Sequence, residues 1–437
     1  MTAEIAILNK LAVALATDSA VTISAGQREQ KIYDSADKLF DLSARNPIGI
    51  MIYNGMQFMQ APLQTLISEY RSQCKSFDTV REAANDFLQY LNDWGADSPP
   101  QVMRTSLEMA IAPVLAAIRE RIAKKHEELM TGDYSDDLLD RIRAVPNEVI
   151  STVENSLSRA EPAQFVGGKS VKFDRSRTAL IKSIVKECWG PGETGQITRL
   201  TAIAKKLVVT NVSSQNYTGI VIAGFGAKEK FPSLISFTIE GVIFDRLKFS
   251  EINYVDIDRS GERARVIPFA QKEMVERFLY GLDSNIERQI TVFCKNAVPE
   301  IRNQIISQLE MNDDDKKSLT EEAQNAERAF IDDLQKKRFE EIRSSSRTEI
   351  EGMVEFMPKP ELAKMAEALV NLTSIKRRVS RGMETVGGPI DVAVISRTEG
   401  FIWVKRKHYF SAELNPRYLS RISPKPSLAG DSPNGTE

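Results

Sequence analysis

MTAEIAILNKLAVALATDSAVT (residues 1–22) holds two apolar runs, 2–8 and 11–17, with only Asn9 and Lys10 between them. So short a connection predicts a β-hairpin, and Asn tolerates the positive φ that a two-residue loop demands. The second run alternates Leu11, Val13 and Leu15 with Ala12, Ala14 and Ala16. Both faces are therefore apolar, and the alanine face has to meet another layer at close range. With Asn9-Lys10 as the loop, facing residues have numbers that sum to 19. Thr2 then lies opposite Thr17, and Asp18 stands one step beyond it, beside the chain terminus.

That placement has a chemical reading. Removal of Met1 is plausible because the next residue is small, and it leaves Thr2 with a free α-amine. Such an amine has an unperturbed pKa of about 7.7–8.0, low enough to act as a base near neutrality. Nucleophile and base then share one residue, the threonine/terminal-amine arrangement. A nearby lysine would hold the amine's pKa down by like-charge repulsion, and an aspartate would orient that lysine. The residues alone leave a plainer alternative open, a strand that starts with Thr and a turn opened by Asp18.

Working outward, NPIGIMIYNG (46–55) reads as a buried strand, and MQAPLQTLISEYR has Leu63, Leu66 and Ile67 at helical spacing. From about 78 to 205 the pattern is helical, broken near Pro99, Gly132, Gly167 and Gly190. Strand signals return at YTGIVIAGFG (217–226), SLISFTIEGVIF (233–244) and EINYVDI (251–257). A second helical region runs from about 269 to 345, and its charged stretch reads as a solvated face. The helix PELAKMAEALVNLTSIKRRVS precedes IDVAVIS and FIWVKRK, two runs joined by the turn RTEG (397–400). The tail is rich in Pro, Ser and Gly. No internal repeat is evident.

Composition narrows the function classes. The chain has 437 residues, 42% of them hydrophobic and 27% charged, as in ordinary globular proteins. A formal net charge of -2 provides no basic field, so nucleic acid is not expected as a partner. Cys74, Cys188 and Cys294 are far apart, which argues against a disulfide framework and a thiolate metal site. No apolar run reaches the roughly 18–20 residues needed to span a bilayer, and the first residues lack the pattern of a signal peptide. The expectation is a cytoplasmic protein without membrane contact. No metal-binding motif occurs, and no cofactor is expected. His126 and His408 are too scattered for a hydrolase built on imidazole. GFGAKEK (224–230) lacks the full phosphate-loop pattern and reads as a loop between strands. IKRRVSR (375–381) and VKRKH (404–408) read as solvated faces or subunit contacts, and LEMAIAPVLAAI (107–118) as bundle core.

TAEIAILNKLAVALATDSAVT resembles the amino-terminal segment of proteasome β-type subunits and their bacterial relatives, with Thr2 followed by Asp18-Ser19-Ala20-Val21-Thr22 at the family's spacing. Ala20 stands where an arginine is common. Lys38-Leu39-Phe40 is similar to the family's lysine before a buried strand, with Lys31 as the competing candidate. YTGIVIAGFG through FPSLISFTIEGVIFDRLK resembles the central strands, and VGGPIDVAVISRTEGFIWVKRK the final hairpin after a Gly-Gly pair, here Gly387-Gly388. Together these segments span roughly half of the chain. The sequence departs from the family where PFAQKEMVERFLYG replaces a Gly-Ser-Gly. It departs again at RGMETVGG, which does not reproduce the acidic residue and serine around the Gly-Gly pair: it offers Glu384 and Thr385, with Val386 in the serine's place.

The resemblance implies an α+β fold, the four-layer αββα sandwich of N-terminal-nucleophile (Ntn) hydrolases with helical insertions. Its core would comprise 1–90, 206–285 and 351–411, with insertions at 91–205 and 286–350 and a flexible tail at 412–437. It also implies a threonine peptidase or amidohydrolase in which Thr2 attacks, Lys38 tunes the amine and Asp18 orients Lys38. A backbone N–H at Asn54 or Gly55 would hold the oxyanion, and Thr22 would pair with substrate. Expected partners are a peptide or protein substrate, further copies of the chain and an ATPase or unfoldase. The competing implication is an inactive member serving as scaffold or recognition subunit.

Overall fold

The computed structural model of the protein describes residues 2–25, 29–131, 137–190, 194–212, 217–380 and 386–418. It begins with strands β1 (Ala3–Asn9), β2 (Ala12–Thr17), β3 (Val21–Ala25), β4 (Glu29–Tyr33), β5 (Leu39–Asp41), β6 (Ile48–Asn54), β7 (Gln57–Phe58) and β8 (Ala61–Pro62). Helices α1 (Leu63–Gln73), α2 (Val80–Ala96), α3 (Pro100–Met130) and α4 (Leu138–Ser158) follow. After β9 (Gln164–Phe165) come α5 (Arg175–Trp189) and α6 (Thr194–Val208). The central strands are β10 (Thr218–Gly224), β11 (Ser233–Ile243), β12 (Arg246–Asp256) and β13 (Ala264–Ala270). Helices α7 (Glu273–Tyr280), α8 (Ser284–Gln308), α9 (Asp313–Asp333), α10 (Phe339–Val354) and α11 (Lys359–Val379) lead to the last hairpin, β14 (Asp391–Ser396) and β15 (Gly400–Lys405).

The chain is an α+β protein built on antiparallel sheets. One sheet has the order β13-β1-β2-β14-β15, and the other β5-β6-β10-β11-β12-β9. Strand alternation assigns the faces. Ala6, Leu8, Val13, Leu15, Ala393 and Ile395 of the first sheet pack with Met51, Tyr53, Val221, Ala223 and Leu234 of the second. The opposite face of β1 and β2 presents Ile5, Ile7, Ala12, Ala14 and Ala16 to Leu362, Ala363, Ala366 and Val370 of α11. Small residues meet small residues there, which gives the close approach the alanine stripe demands. On the outer face of the second sheet, Ile50, Ile52, Ile220 and Ile235 pack with Leu66 and Ile67 of α1 and with Phe87 and Leu91 of α2. Burial of each such side chain contributes about 1.5–3 kcal/mol, so these shared clusters dominate the cohesion of the sheets.

The first hairpin differs from the expected register. Glu4 faces Thr17 and Leu8 faces Val13, so facing numbers sum to 21 rather than 19. The cause is Asn9, which ends β1 as a strand residue instead of forming the loop. Its Oδ1 accepts from the backbone N–H groups of Leu11 (2.9 Å) and Ala12 (3.2 Å). Its Nδ2 donates to the carbonyls of Val354 and Met357, both at 2.9 Å. The turn thus moves onto Lys10-Leu11, and Leu11 is exposed. Because the shift moves each partner by two places, the faces of the hairpin keep their assignment.

The charged helix α9 buries no residue, and Leu107, Ile111, Leu115 and Ile118 of α3 form a bundle core with α4, α5 and α6. In the 224–230 segment Gly224 ends β10, and the residues after it lie in the loop to β11. Strand β13 is an element the sequence reading lacked. Pro268 within it suppressed the strand signal, yet β13 is an edge strand, where a missing N–H is tolerated.

Candidate active site

Three chain segments converge at the start of β1. Glu4 pairs with Thr17, and just beyond this pair the backbone N–H of Asp18 donates to Ala3 O at 3.1 Å. In return Asp18 Oδ1 accepts from the Ala3 N–H at 3.2 Å. Asp18 Oδ2 accepts from the N–H groups of Ala20 (3.3 Å) and Gly387 (3.0 Å). The Ser19 N–H donates to Gly387 O at 3.2 Å, so the Gly-Gly segment is clamped on the turn after β2. Gly388 has φ 76°, and a Cβ there would stand 2.6 Å from Asp34 O. Only glycine fits so close a backbone approach at positive φ.

Lys38 enters from the residue before β5 and is 1% exposed. Its Nζ donates to Thr2 Oγ1 at 3.0 Å, to Asp18 Oδ1 at 2.7 Å and to Ala20 O at 2.6 Å. An ammonium has three N–H donors, and all three are engaged, so Lys38 has no lone pair with which to accept a proton. Thr2, Asp18 and Lys38 are thereby brought together. Lys31 is not part of this group; it lies exposed on β4 opposite Ile23.

No protein-family model matches the chain, and no curated protein does. Among solved structures it is similar to a Gly-1 mutant of Anbu from Hyphomicrobium sp. strain MC1, at 9% sequence identity and a TM-score of 0.25. The match covers 97% of this chain and 95% of that one. A likeness of that depth decides neither fold nor activity; the residues around Thr2 have to carry both.

Sequence reasoning missed Glu4, which shares the inward face of β1 with Thr2 and is fully buried. Its Oε1 lies 3.1 Å from Thr17 Oγ1, and Oε2 has no hydrogen-bond partner. Burial above all, and less so the charge of Asp18, push its carboxyl well above the usual range against the pull of Lys38. The signal was available in the sequence, as the one acid in an otherwise apolar run. Tyr53 of β6 closes the same region, its phenol pushed up by burial and by the neighbouring Tyr217 and Glu4.

The start of the segment 268–281 runs beside Thr2. Ala3 pairs with Ala270, and the Gln271 N–H donates to Thr2 O at 3.1 Å. Ala270 has φ 60°, a left-handed conformation that costs an L-residue about 1 kcal/mol or more. Val386 is buried against α11, while Glu384 and Thr385 lie outside the described residues.

Asn54 ends β6 with φ 66°, and its Nδ2 donates to Tyr217 O at 2.7 Å. Gly55 follows it tightly against Thr218, whose Oγ1 would be 2.2 Å from a Cβ. Thr22 pairs with Ile32 on the β3-β4 hairpin, and its Oγ1 is buried without a partner. His126 Nε2 lies 3.0 Å from Ile142 O, where α3 meets α4. The basic run 404–408 is used internally: Lys405 pairs with Glu367 at 2.5 Å, and Lys407 with the buried Asp391. Among the described residues no group of three or more His, Cys, Asp or Glu is arranged to hold a metal ion. No helix among them is long and apolar enough to cross a membrane.

Proposed function

We propose that this chain is a proteasome-like amidohydrolase of the N-terminal-nucleophile type, with Thr2 as the nucleophile once processing has made it the terminal residue. The observation that carries the reading is the Lys38 ammonium, which donates at once to Thr2 Oγ1 (3.0 Å) and Asp18 Oδ1 (2.7 Å). With its donors all engaged, Lys38 acts by charge. It lowers the proton affinity of the Thr2 hydroxyl and of the α-amine, and Asp18 holds it in place. The base is then the α-amine. Thr2 Oγ attacks the amide carbonyl carbon while its proton passes to the amine, and the carbonyl electron pair collects on oxygen. Collapse breaks the C–N bond, the ammonium returns the proton to the leaving nitrogen, and an ester on Thr2 remains. Water, activated by the same amine, hydrolyses it. Asn54 or Gly55 is assigned the backbone donor for the oxyanion, and Thr22 a contact to an extended substrate backbone.

The fold assigned to this chemistry is the four-layer αββα Ntn sandwich. Its support is the sharing of side chains between the two sheets and between each sheet and its own helices. The core is assigned to 1–90, 206–285 and 351–411, with helical insertions at 91–205 and 286–350. In the same reading the substrate is a peptide or protein, the chain self-associates, and an ATPase or unfoldase delivers substrate.

A scaffold role is favoured by one observation, the closure of the site: Thr2 is only 5% exposed. Intact mass of the purified protein, followed by turnover of a mixed peptide substrate by wild type and Thr2→Ala, separates the two readings. The hydrolase reading predicts loss of Met1 and turnover that vanishes in T2A. Processed protein without turnover supports the scaffold.

A further inference from the structure

The steps above leave one buried group at the Thr2 site unused. Glu4 Oε1 and the Asp18 carbonyl oxygen each lie 3.1 Å from the same hydroxyl, Thr17 Oγ1. A hydroxyl carries a single proton and cannot donate a full-strength hydrogen bond to both at once. Both contacts are full two-centre hydrogen bonds if Glu4 brings its own proton, donating to Thr17 Oγ1 while Thr17 donates to Asp18 O. The arrangement suits a carboxylic acid. An ionised Glu4 would instead leave a carboxylate oxygen, Oε2, buried with nothing to donate to it.

We propose that Glu4 is a positioning residue kept as a neutral acid, and that loss of its proton draws Lys38 off Thr2 and switches the nucleophile off; this rests on the peptidase reading above. Charge balance gives the reason. Lys38 and Asp18 form a one-to-one pair, 1% and 0% exposed. Thr2 and Glu4 lie on one face of β1, roughly 7 Å apart along the strand at 3.2–3.4 Å per residue, so Lys38 is within reach of both. A second carboxylate would compete with Asp18 for the ammonium and leave the buried cluster one charge negative. That excess favours the protonated α-amine, which is no longer a base. The groups facing Glu4 support a local switch. From β2 and the residue after it these are Thr17 and Asp18, from the segment before β5 Lys38, from β6 Tyr53, and from β13 the apolar Phe269. Beyond Thr17 on β14 stands Asp391, already paired with Lys407, which also reaches Asp37 at 3.4 Å. Among the described residues Lys38 is the cation whose charge acts on Glu4, so it is the group a Glu4 carboxylate would pull. The high proton affinity that burial gives the carboxyl agrees with this state.

The test follows the side-chain ammonium resonance of Lys38 in 15N-lysine-labelled protein between pH 6 and 10, in wild type, Glu4→Gln and Thr17→Val. The expected result is a titration of the Lys38 signal in wild type that is absent in E4Q and displaced to lower pH in T17V, which lacks the acceptor for the acid's proton. A Lys38 signal that is flat in wild type, or that titrates alike in E4Q, overturns the proposal. Displacement to higher pH in T17V also overturns it, because Thr17 then donates to a carboxylate. The alkaline limb of epoxyketone labelling should fall about tenfold per pH unit in wild type and stay level in E4Q. If neither protein labels at any pH, the peptidase reading fails, and the resonance still decides the state of Glu4.

Discussion

Lys38 Nζ lies 3.0 Å from Thr2 Oγ1 across 36 residues of chain, and the same nitrogen holds Asp18 at 2.7 Å. Lys38 and Asp18 are both buried, so Lys38 is satisfied by Asp18, the Thr2 hydroxyl and the Ala20 carbonyl, and Asp18 by Lys38 and backbone N–H groups. Removal of one member of such a pair strands the other charge, which costs about 3–5 kcal/mol. Lys38→Met and Asp18→Asn should each lose stability of that order in urea denaturation. The double variant should lose clearly less than the sum, because no uncompensated charge remains. Additive losses would mean that the two groups do not act as a pair.

Asn9 sets the register of the hairpin that carries Thr2. Asn9→Ala removes a buried amide that serves two N–H groups and two carbonyls. Unpaired buried groups of this kind cost about 1–3 kcal/mol each, so the two fully buried partners, the Ala12 N–H and the Val354 carbonyl, predict a loss of about 2–6 kcal/mol in urea denaturation. Asn9→Asp keeps the acceptor and loses the donors to Val354 and Met357, and should be comparably unstable.

Asp41 gives a pH signature away from the site. Burial raises its carboxyl from 3.8 to about 6, against the opposing charge of Arg71 at 2.7 Å. With the folded value above the unfolded one, the folded state binds the proton more tightly. Its contribution to stability is full below pH 4 and is lost as pH rises toward 6. At 1.36 kcal/mol per unit the loss is about 3 kcal/mol at most. Asp41→Asn should remove this slope, so the difference in stability between D41N and wild type moves in favour of D41N between pH 4 and 6. A difference independent of pH would contradict the assignment.

The face of each front strand was legible because alternation is local: Val13 and Leu15 had to share one side and the three alanines the other. The register was not, because Asn9 is held by carbonyls 345 and 348 residues away. Strand β13 was hidden by Pro268, whose tolerance depends on an edge position that only the assembled sheet reveals. Thr2, Asp18 and Lys38 were named from spacing and resemblance, and the geometry brings them together. Glu4 was visible as a misfit in an apolar run, but its meaning needed Thr17 across the hairpin.

The most direct measurement is the tandem mass spectrum of the amino-terminal peptide after treatment with a peptide epoxyketone, which reacts stably only where an α-amine and a hydroxyl belong to one residue. The predicted result is a single adduct on Thr2, with Met1 gone, that is absent in Thr2→Ala and slowed in Lys38→Met. An intact Met1-Thr2 bond, or a processed and folded protein without the adduct, would contradict the account.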